Sequence, residues 1–467
     1  MRTLRKFCLA IFGFIFILSS CAQSPSSDAS TSTPRPTATK EASAEETPTP
    51  AASRLQVEKE ALRGLRVRVW HPWFGAEASL FESQVAQFNT ENEWGIIVEA
   101  QSMNNFSELF LQTEAALENA TQPDLVIALP EHALGWMENV LDLNAYIQDP
   151  LYGISALERS EFPSVIWRQD EVEGKRLGMP AQRTGRFILY NRTWARELGF
   201  DSPPTTPSDF EQQACAANRA LREDADPNND LLGGWLIDTH AATSLSWMIA
   251  FGGGVQEENG YRFLTSENIE AFKYLKKLQL NGCAWVASPE IPTSERFAAR
   301  QALFATAALE DLPEQTRAFT ALGSRDDWTV LAFPGEERDA VVIYGSSFVI
   351  FESDEPTQLA SWLFVRWMLS AENQARWVQS TGLFPLRDST MSLLTDYSAT
   401  HPQWADAVKL LPQGVGTPQL SSWRLVRVMM EDAFRDMFDT IRHPDLTEGQ
   451  VPLILRQMEE TAEEIAN

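Results

Sequence analysis

From Leu65 to Trp70 (LRVRVW) polar and apolar side chains alternate, the period of a strand with one face buried. Residues 78–90 then place Leu80, Phe81, Val85 and Phe88 at helical spacing, which predicts an amphipathic helix. Residues 95–100 predict a second strand, 106–120 a second helix and 124–129 a third strand. Strand, helix, strand, helix, strand is the opening of a parallel α/β sheet. Ligands of open sheets sit beyond the carboxyl ends of the strands. Those ends are Trp70-His71-Pro72-Trp73 and Pro130-Glu131-His132. Trp70, His71, Trp73 and Glu131 are therefore candidates: flat rings for apolar contact, an imidazole to donate to a hydroxyl, and a carboxylate to accept two hydroxyls in fixed geometry. Trp73, following Pro72, is expected to be exposed. Further on, residues 174–180 read as a short hairpin ending in Pro180, 187–191 as a strand, and 208–222 as a helix opened by Pro203-Pro-Thr-Thr-Pro207.

The first sixty residues follow a different pattern. Arg2, Arg5 and Lys6 precede an apolar run of about a dozen residues, too short for the roughly 20 that span a bilayer. The run ends in Leu18-Ser19-Ser20-Cys21, which resembles the lipobox of bacterial lipoproteins. Residues 1–20 are expected to be a signal peptide. Cys21 is expected to carry lipid, leaving the protein on the extracytoplasmic face of the cell membrane, periplasmic or at the cell surface. Residues 21–64 are Ser, Thr, Pro and Ala with scattered charge and little to bury, so they read as a disordered tether.

Composition narrows the function. The formal charge of −26 repels nucleic acid and anionic lipid, so neither is an expected direct partner; the membrane is met through the lipid alone. About 400 residues beyond the tether suit two lobes better than one core. Of four Cys, Cys215 and Cys283 remain for the globule in an oxidising compartment; a single disulfide is expected, two buried thiols being the alternative. With five His and no HExxH spacing, neither a metal site nor a cofactor is expected. Asp224, Asp226, Asn228 and Asp230 alternate like a calcium loop, but the sixth position is not Gly and the twelfth is Trp235, so the stretch reads as a turn. No GxSxG, P-loop or GxGxxG signature supports an enzyme, and a binding protein is expected. Fifteen Trp supply large rigid faces suited to sugar rings, although most are expected in the core.

The segments PDLVIA, LGMPAQRTGRFILYNRTWARELGFDSPPTTPSDFEQQ and SERFAARQALFATAALED, in this order, resemble the family 1 extracellular solute-binding proteins, the sugar-type receptors of ABC importers. Residues 327–335, 343–350 and 356–385 continue the resemblance toward the C-terminus. It implies a two-lobe periplasmic-binding-protein fold with hinge strands, class II and maltose-receptor-like, closing on a solute. Residues 65–181 with 306–344 are expected to form the first lobe, and 182–305 with 345–467 the second. The resemblance also implies ligand contacts at three crossings between lobes: Arg183 and Thr184, Glu310 and Asp311, Tyr344 and Ser346. Trp247 precedes a Gly-rich loop, and Trp423 stands four residues before Arg427, as a stacking aromatic does in relatives.

The function expected is capture of a carbohydrate by a monomer that delivers it to an ABC permease. A glycerol-phosphate diester or other polar solute is the alternative cargo, and a surface sensor or glycosidase the alternative role.

Overall fold

The computed structural model describes residues 52–258, 260–287 and 290–466. The expected signal peptide, Cys21 and the tether up to residue 51 lie outside the described residues. Within them, no helix is long and apolar enough to cross a membrane.

The opening pattern folds as its periodicity predicts. Strands β1 (Arg66–His71), β2 (Ile97–Ser102) and β3 (Leu125–Ala128) run parallel with β1 in the middle. Helices α1 (Gly75–Glu91) and α2 (Phe106–Glu118) connect them, and the short α3 (Pro130–Gly135) follows β3. Asn105 caps α2 by accepting the Glu108 amide at 2.8 Å, which satisfies one of the free N–H groups of the first turn. All four β3 residues are buried, because Leu125 and Ile127 face one core and Val126 and Ala128 another.

The chain leaves this sheet through β4 (Met179–Pro180) and enters the eight-residue β5 (Thr184–Asn191), the middle of a second sheet. Helix α4 (Pro207–Arg222), β6 (Trp235–Leu236), α5 (Ala241–Ala250), α6 (Ser266–Leu280), β7 (Ala284–Trp285) and β8 (Phe304–Ala308) build that lobe. Helix α7 (Leu312–Ala321) leads to β9 (Trp328–Leu331), followed by β10 (Val341–Tyr344). Strand β11 (Ser347–Ile350) then returns to the first sheet, with α8 (Glu355–Met368) and α9 (Ala371–Thr381) after it. Strand β12 (Gly414–Gly416), α10 (Trp423–Phe438) and α11 (Val451–Ala466) complete the second lobe. The strand orders are β2-β1-β3-β11-β4 and β7-β6-β8-β5-β10-β12, with β9 also on β5.

This topology corrects the expected lobe boundaries. Residues 306–344 belong to the second sheet, and 347–350 to the first, the reverse of the expectation. The reason is the direction of the strands. Both β8 and β9 run antiparallel to β5, on its two sides. Two strands pointing the same way need a crossover connection, and α7 supplies it inside one lobe. Glu310 and Asp311 thus begin an in-sheet crossover and are not a passage between lobes. The last dozen residues of the expected tether are also folded. Leu62 is buried, Leu55 and Val57 pack on the same core, and Asp149 accepts the Arg54 amide at 2.7 Å. Three apolar side chains in this short stretch give it a surface to bury, which the Ser/Thr/Pro stretch before it lacks.

Asp224 and Asp226 sit in a turn and accept bonds from nearby amides, Asp226 Oδ1 from the Asn228 amide at 3.1 Å. Cys215 of α4 and Cys283, beside β7, form a disulfide across a sequence separation of 68. Closing that loop stabilises by about 4 kcal/mol in the chain-entropy model. Reduction, or a Cys215→Ala/Cys283→Ala variant, is therefore expected to lower the denaturant midpoint of unfolding. An unchanged midpoint by circular dichroism would show that the crosslink contributes nothing.

Candidate functional site

Two crossings set side by side form the base of a cleft. Ser347 pairs with Pro180, Tyr344 with Thr184, and the Ser346 carbonyl accepts the Ala181 amide at 2.9 Å and the Gln182 amide at 3.1 Å. Gly345 lies between them with φ +153°, and a Cβ there would meet the Gln182 carbonyl oxygen at 2.1 Å, so only glycine fits. The Arg183 guanidinium is fully buried at this point. It meets Asp170 at 2.9 Å, Ser347 Oγ at 3.0 Å, the Gln182 carbonyl at 2.8 Å and the Ser346 carbonyl. Arg183 was expected among the ligand contacts. It borders the cleft, but all its bonds hold the hinge.

Above this base lies a cavity of about 570 Å³, within the range of small-molecule sites. Trp73, Phe74 and Glu77 reach it from the end of β1 and the start of α1, and Glu131 from the end of β3. Thr184, Tyr344 and Ser346 come from the crossings, and Glu310, Trp423 and Arg427 from the second lobe. Strand-end and crossing positions far apart in the chain thus meet at one place.

Gln182 ties several of these groups together. Its side-chain oxygen accepts Trp73 Nε1 at 3.0 Å and Ser346 Oγ at 3.3 Å, and its amide donates to Glu77 at 3.3 Å. Trp73 is only 4% exposed, against expectation, because its ring also lies 4.7 Å from that of Trp377. The open position falls one residue later, on Phe74, 71% exposed. Glu131 occupies the first turn of α3 and stands 3.6 Å from Arg427 Nε. Burial pushes the Glu131 carboxyl above its ordinary range, and Arg427 opposes that shift. Trp423 opens α10, and its ring stacks on Tyr261 at 6.3 Å. Arg427, four residues on, shares its helix face. Arg424 lies 4.2 Å over the Phe110 ring, joining α10 to the other lobe a second time. Thr184 donates to Glu310 at 2.6 Å, and loss of hydration raises the Glu310 pKa.

Four expected contacts lie elsewhere. Trp70 packs against the core beside α2 and α3, the opposite side of β1 from His71, as strand alternation requires. His71 is fully buried behind Trp73 and against Phe81, with neither ring nitrogen hydrogen-bonded. Trp247 is enclosed by Phe210, Trp235 and Phe333, because every residue of α5 is buried. Asp311 accepts the Ala308 amide at 2.8 Å and lines a separate cavity of about 270 Å³. Sequence reasoning in turn missed Phe74, Glu77, Gln182 and His240. Glu77 carried a signal, an acid in the first helical turn after a strand end. His240 carried none: it caps α5, accepting the Ala242 amide at 3.1 Å, and stacks on Tyr344 at 5.6 Å. Burial, with Arg186 adding to it, holds the His240 pKa near 4.

Two α/β lobes, joined by adjacent crossings and enclosing a cavity lined from both, define the two-lobe class of solute receptors. The chain belongs to the bacterial extracellular solute-binding protein family, whose model matches residues 83–411. That is a family of binding proteins rather than enzymes. Among solved structures, the sugar-binding protein MalE from Xanthomonas citri is similar with a TM-score of 0.73 at 19% identity, over 86% of this chain and 97% of that one. The cyclic α-maltosyl-1,6-maltose binding protein from Arthrobacter globiformis gives 0.69 at 19% identity, over 86% and 99%. UgpB from Mycobacterium tuberculosis, solved with glycerophosphocholine, gives 0.66 at 17% identity, over 86% and 98%. At such identities the likeness is one of fold. A comparison with curated protein sequences finds no match.

Burial lowers the His71 pKa to about 4. The unfolded chain then binds a proton between pH ~6.5 and the folded value that the native state refuses. Stability is full above that window and is lost as pH falls through it, on the order of 3 kcal/mol for this residue. His71→Phe removes two unsatisfied buried nitrogens and is expected to flatten the pH dependence of the denaturant midpoint across the same window. An unchanged slope would mean that His71 does not contribute to it.

Proposed function

We propose that this protein is the lipid-anchored solute-binding component of an ABC importer, that it captures a carbohydrate between its lobes, and that it works as a monomer delivering the solute to the permease. The observation carrying the reading is the cavity itself, where flat rings and carboxylates converge from both lobes. Phe74 offers an open face for the apolar side of a sugar ring, and Trp73 and Trp423, both nearly buried, line the cavity beside it. Glu131 and Glu310 offer acceptors for its hydroxyls. Carbohydrates combine these two surfaces. The sugar-binding proteins of the same fold from Xanthomonas citri and Arthrobacter globiformis add support. The structure with glycerophosphocholine keeps a phosphodiester as the second reading. Against it, three guanidiniums in and beside the cavity are matched by carboxylates: Arg183 by Asp170, Arg186 by Asp238 and Arg427 by Glu131.

Calorimetric titration against malto-oligosaccharides, monosaccharides, polyols and glycerophosphodiesters tests the reading. Saccharide binding with a change in tryptophan fluorescence is expected. Trp423→Leu keeps the apolar bulk, removes the flat face, and should weaken binding about tenfold. Turnover of a saccharide without stable binding would replace this proposal with an enzymatic one.

Acylation of Cys21 is the second part of the proposal. A lipid on a leash raises the local concentration of receptor at its permease without needing a strong docking contact. Cys21→Ser is expected to move the protein from the membrane fraction to the soluble one. Unaltered sedimentation with membranes would rule the anchor out.

A further inference from the structure

Among the described residues, two of the carboxylates that line the cavity have no direct cationic partner. Arg183 meets Asp170 at 2.9 Å, Arg186 meets Asp238 at 2.8 Å, and Arg427 stands 3.6 Å from Glu131. Each of these cations makes its direct ion pair with one carboxylate, although Arg186 also acts on Glu310 from a distance. His240, on the same wall, is held neutral by burial and the nearby Arg186. Glu77 and Glu310 remain. Glu77 contacts the Gln182 amide at 3.3 Å, and Glu310 the Thr184 hydroxyl at 2.6 Å. Among the described residues, neither forms an ion pair with Lys or Arg. One comes from the first lobe and the other from the second, yet Gln182 and Thr184 are two residues apart, so the same stretch of the crossing gathers both. Their proximity has an electrostatic trace, since the Glu310 charge adds to the burial that raises the Glu77 pKa. Beside them stands Phe74, three residues before Glu77, 71% exposed and facing the same cavity.

A solute that fills this space strips water from both carboxylates. A hydroxyl returns a hydrogen bond but no charge, and burying two like charges without compensation is expensive. A positively charged nitrogen returns both, and the face of an aromatic ring adds to its attraction. We propose that the cavity takes a solute bearing a positively charged nitrogen, seated between Glu77 and Glu310 against Phe74, which makes the carbohydrate an amino sugar. The inference rests on reading the cleft as a carbohydrate site, and its charge requirement can be tested apart from that reading.

The probes are three disaccharides of one skeleton: β-1,4-linked glucosamine, its N-acetylated form, and cellobiose. Titrated where the amine is protonated, the amino form should bind at least about tenfold more tightly than either neutral one. In Glu77→Gln/Glu310→Gln that ratio should fall to near one, and each single substitution should reduce it. Equal affinity for all three in the native protein, or a ratio that survives both substitutions, overturns the proposal. Circular dichroism and the unfolding midpoint check that the variants fold, and the single variants serve if the double one does not. If none of the three disaccharides binds, the carbohydrate reading rests on the wider saccharide titration, and tetramethylammonium becomes the probe of the charge assignment. Binding that is lost in the double variant and weakened in Phe74→Ala sustains the charge assignment, and absence of binding ends it.

Discussion

The ion pair between Arg183 and Asp170 is the interaction on which the arrangement of the lobes depends. Both side chains are almost wholly out of water, where an unpaired charge costs several kcal/mol. The cost is offset only because the guanidinium is nearly saturated, by the carboxylate, a hydroxyl and two carbonyls. Asp170 apart, those partners come from both crossings, so the guanidinium is fully served only when the two strands passing between the sheets lie side by side. The close approach at Gly345 follows from the same constraint, because the backbones meet where no Cβ fits.

What stands above that base follows from it. Gln182 and Thr184 flank Arg183, and Tyr344 and Ser346 flank Gly345, so residues that border the hinge also floor the cavity. The walls belong to different lobes and are joined by lighter contacts, Arg427 with Glu131 and Arg424 over Phe110. A stiff base and weakly joined walls are what a receptor that opens and closes about crossing strands requires. The cavity is also more aromatic than the protein's acidic surface, and a solute that fills it lowers the dielectric around its carboxylates, where each unmatched charge counts for more.

Much of this was legible in the sequence for a definite reason. The β1 to β3 segment carries its periods openly, alternating where one face is buried and continuously apolar where both are. Glu131 was legible because it follows a strand end, and Trp423 through the family resemblance, which places a stacking aromatic four residues before an Arg. The Cys215–Cys283 pair was legible from composition and compartment. Less was legible of side chains whose role depends on a distant partner. The ring nitrogens of His71 and the indole of Trp247 differ from cleft residues only in what packs over them. The α7 crossover inside one lobe was misread because the direction of β9 shows only in its pairing with β5.

The sequence by itself determined the strands, the helices, the glycine at the crossing and the chemical types available to a site. Periodicity and backbone freedom are local properties and need no partner. Tertiary structure alone decided which sheet each strand joined, and that Arg183 would serve the hinge. It alone left Glu77 and Glu310 in one cavity without a direct ion pair among the described residues. Those outcomes are set by contacts between segments far apart in the chain, such as Arg183 with Ser346 and Thr184 with Glu310, through desolvation and Coulomb forces that no local pattern encodes.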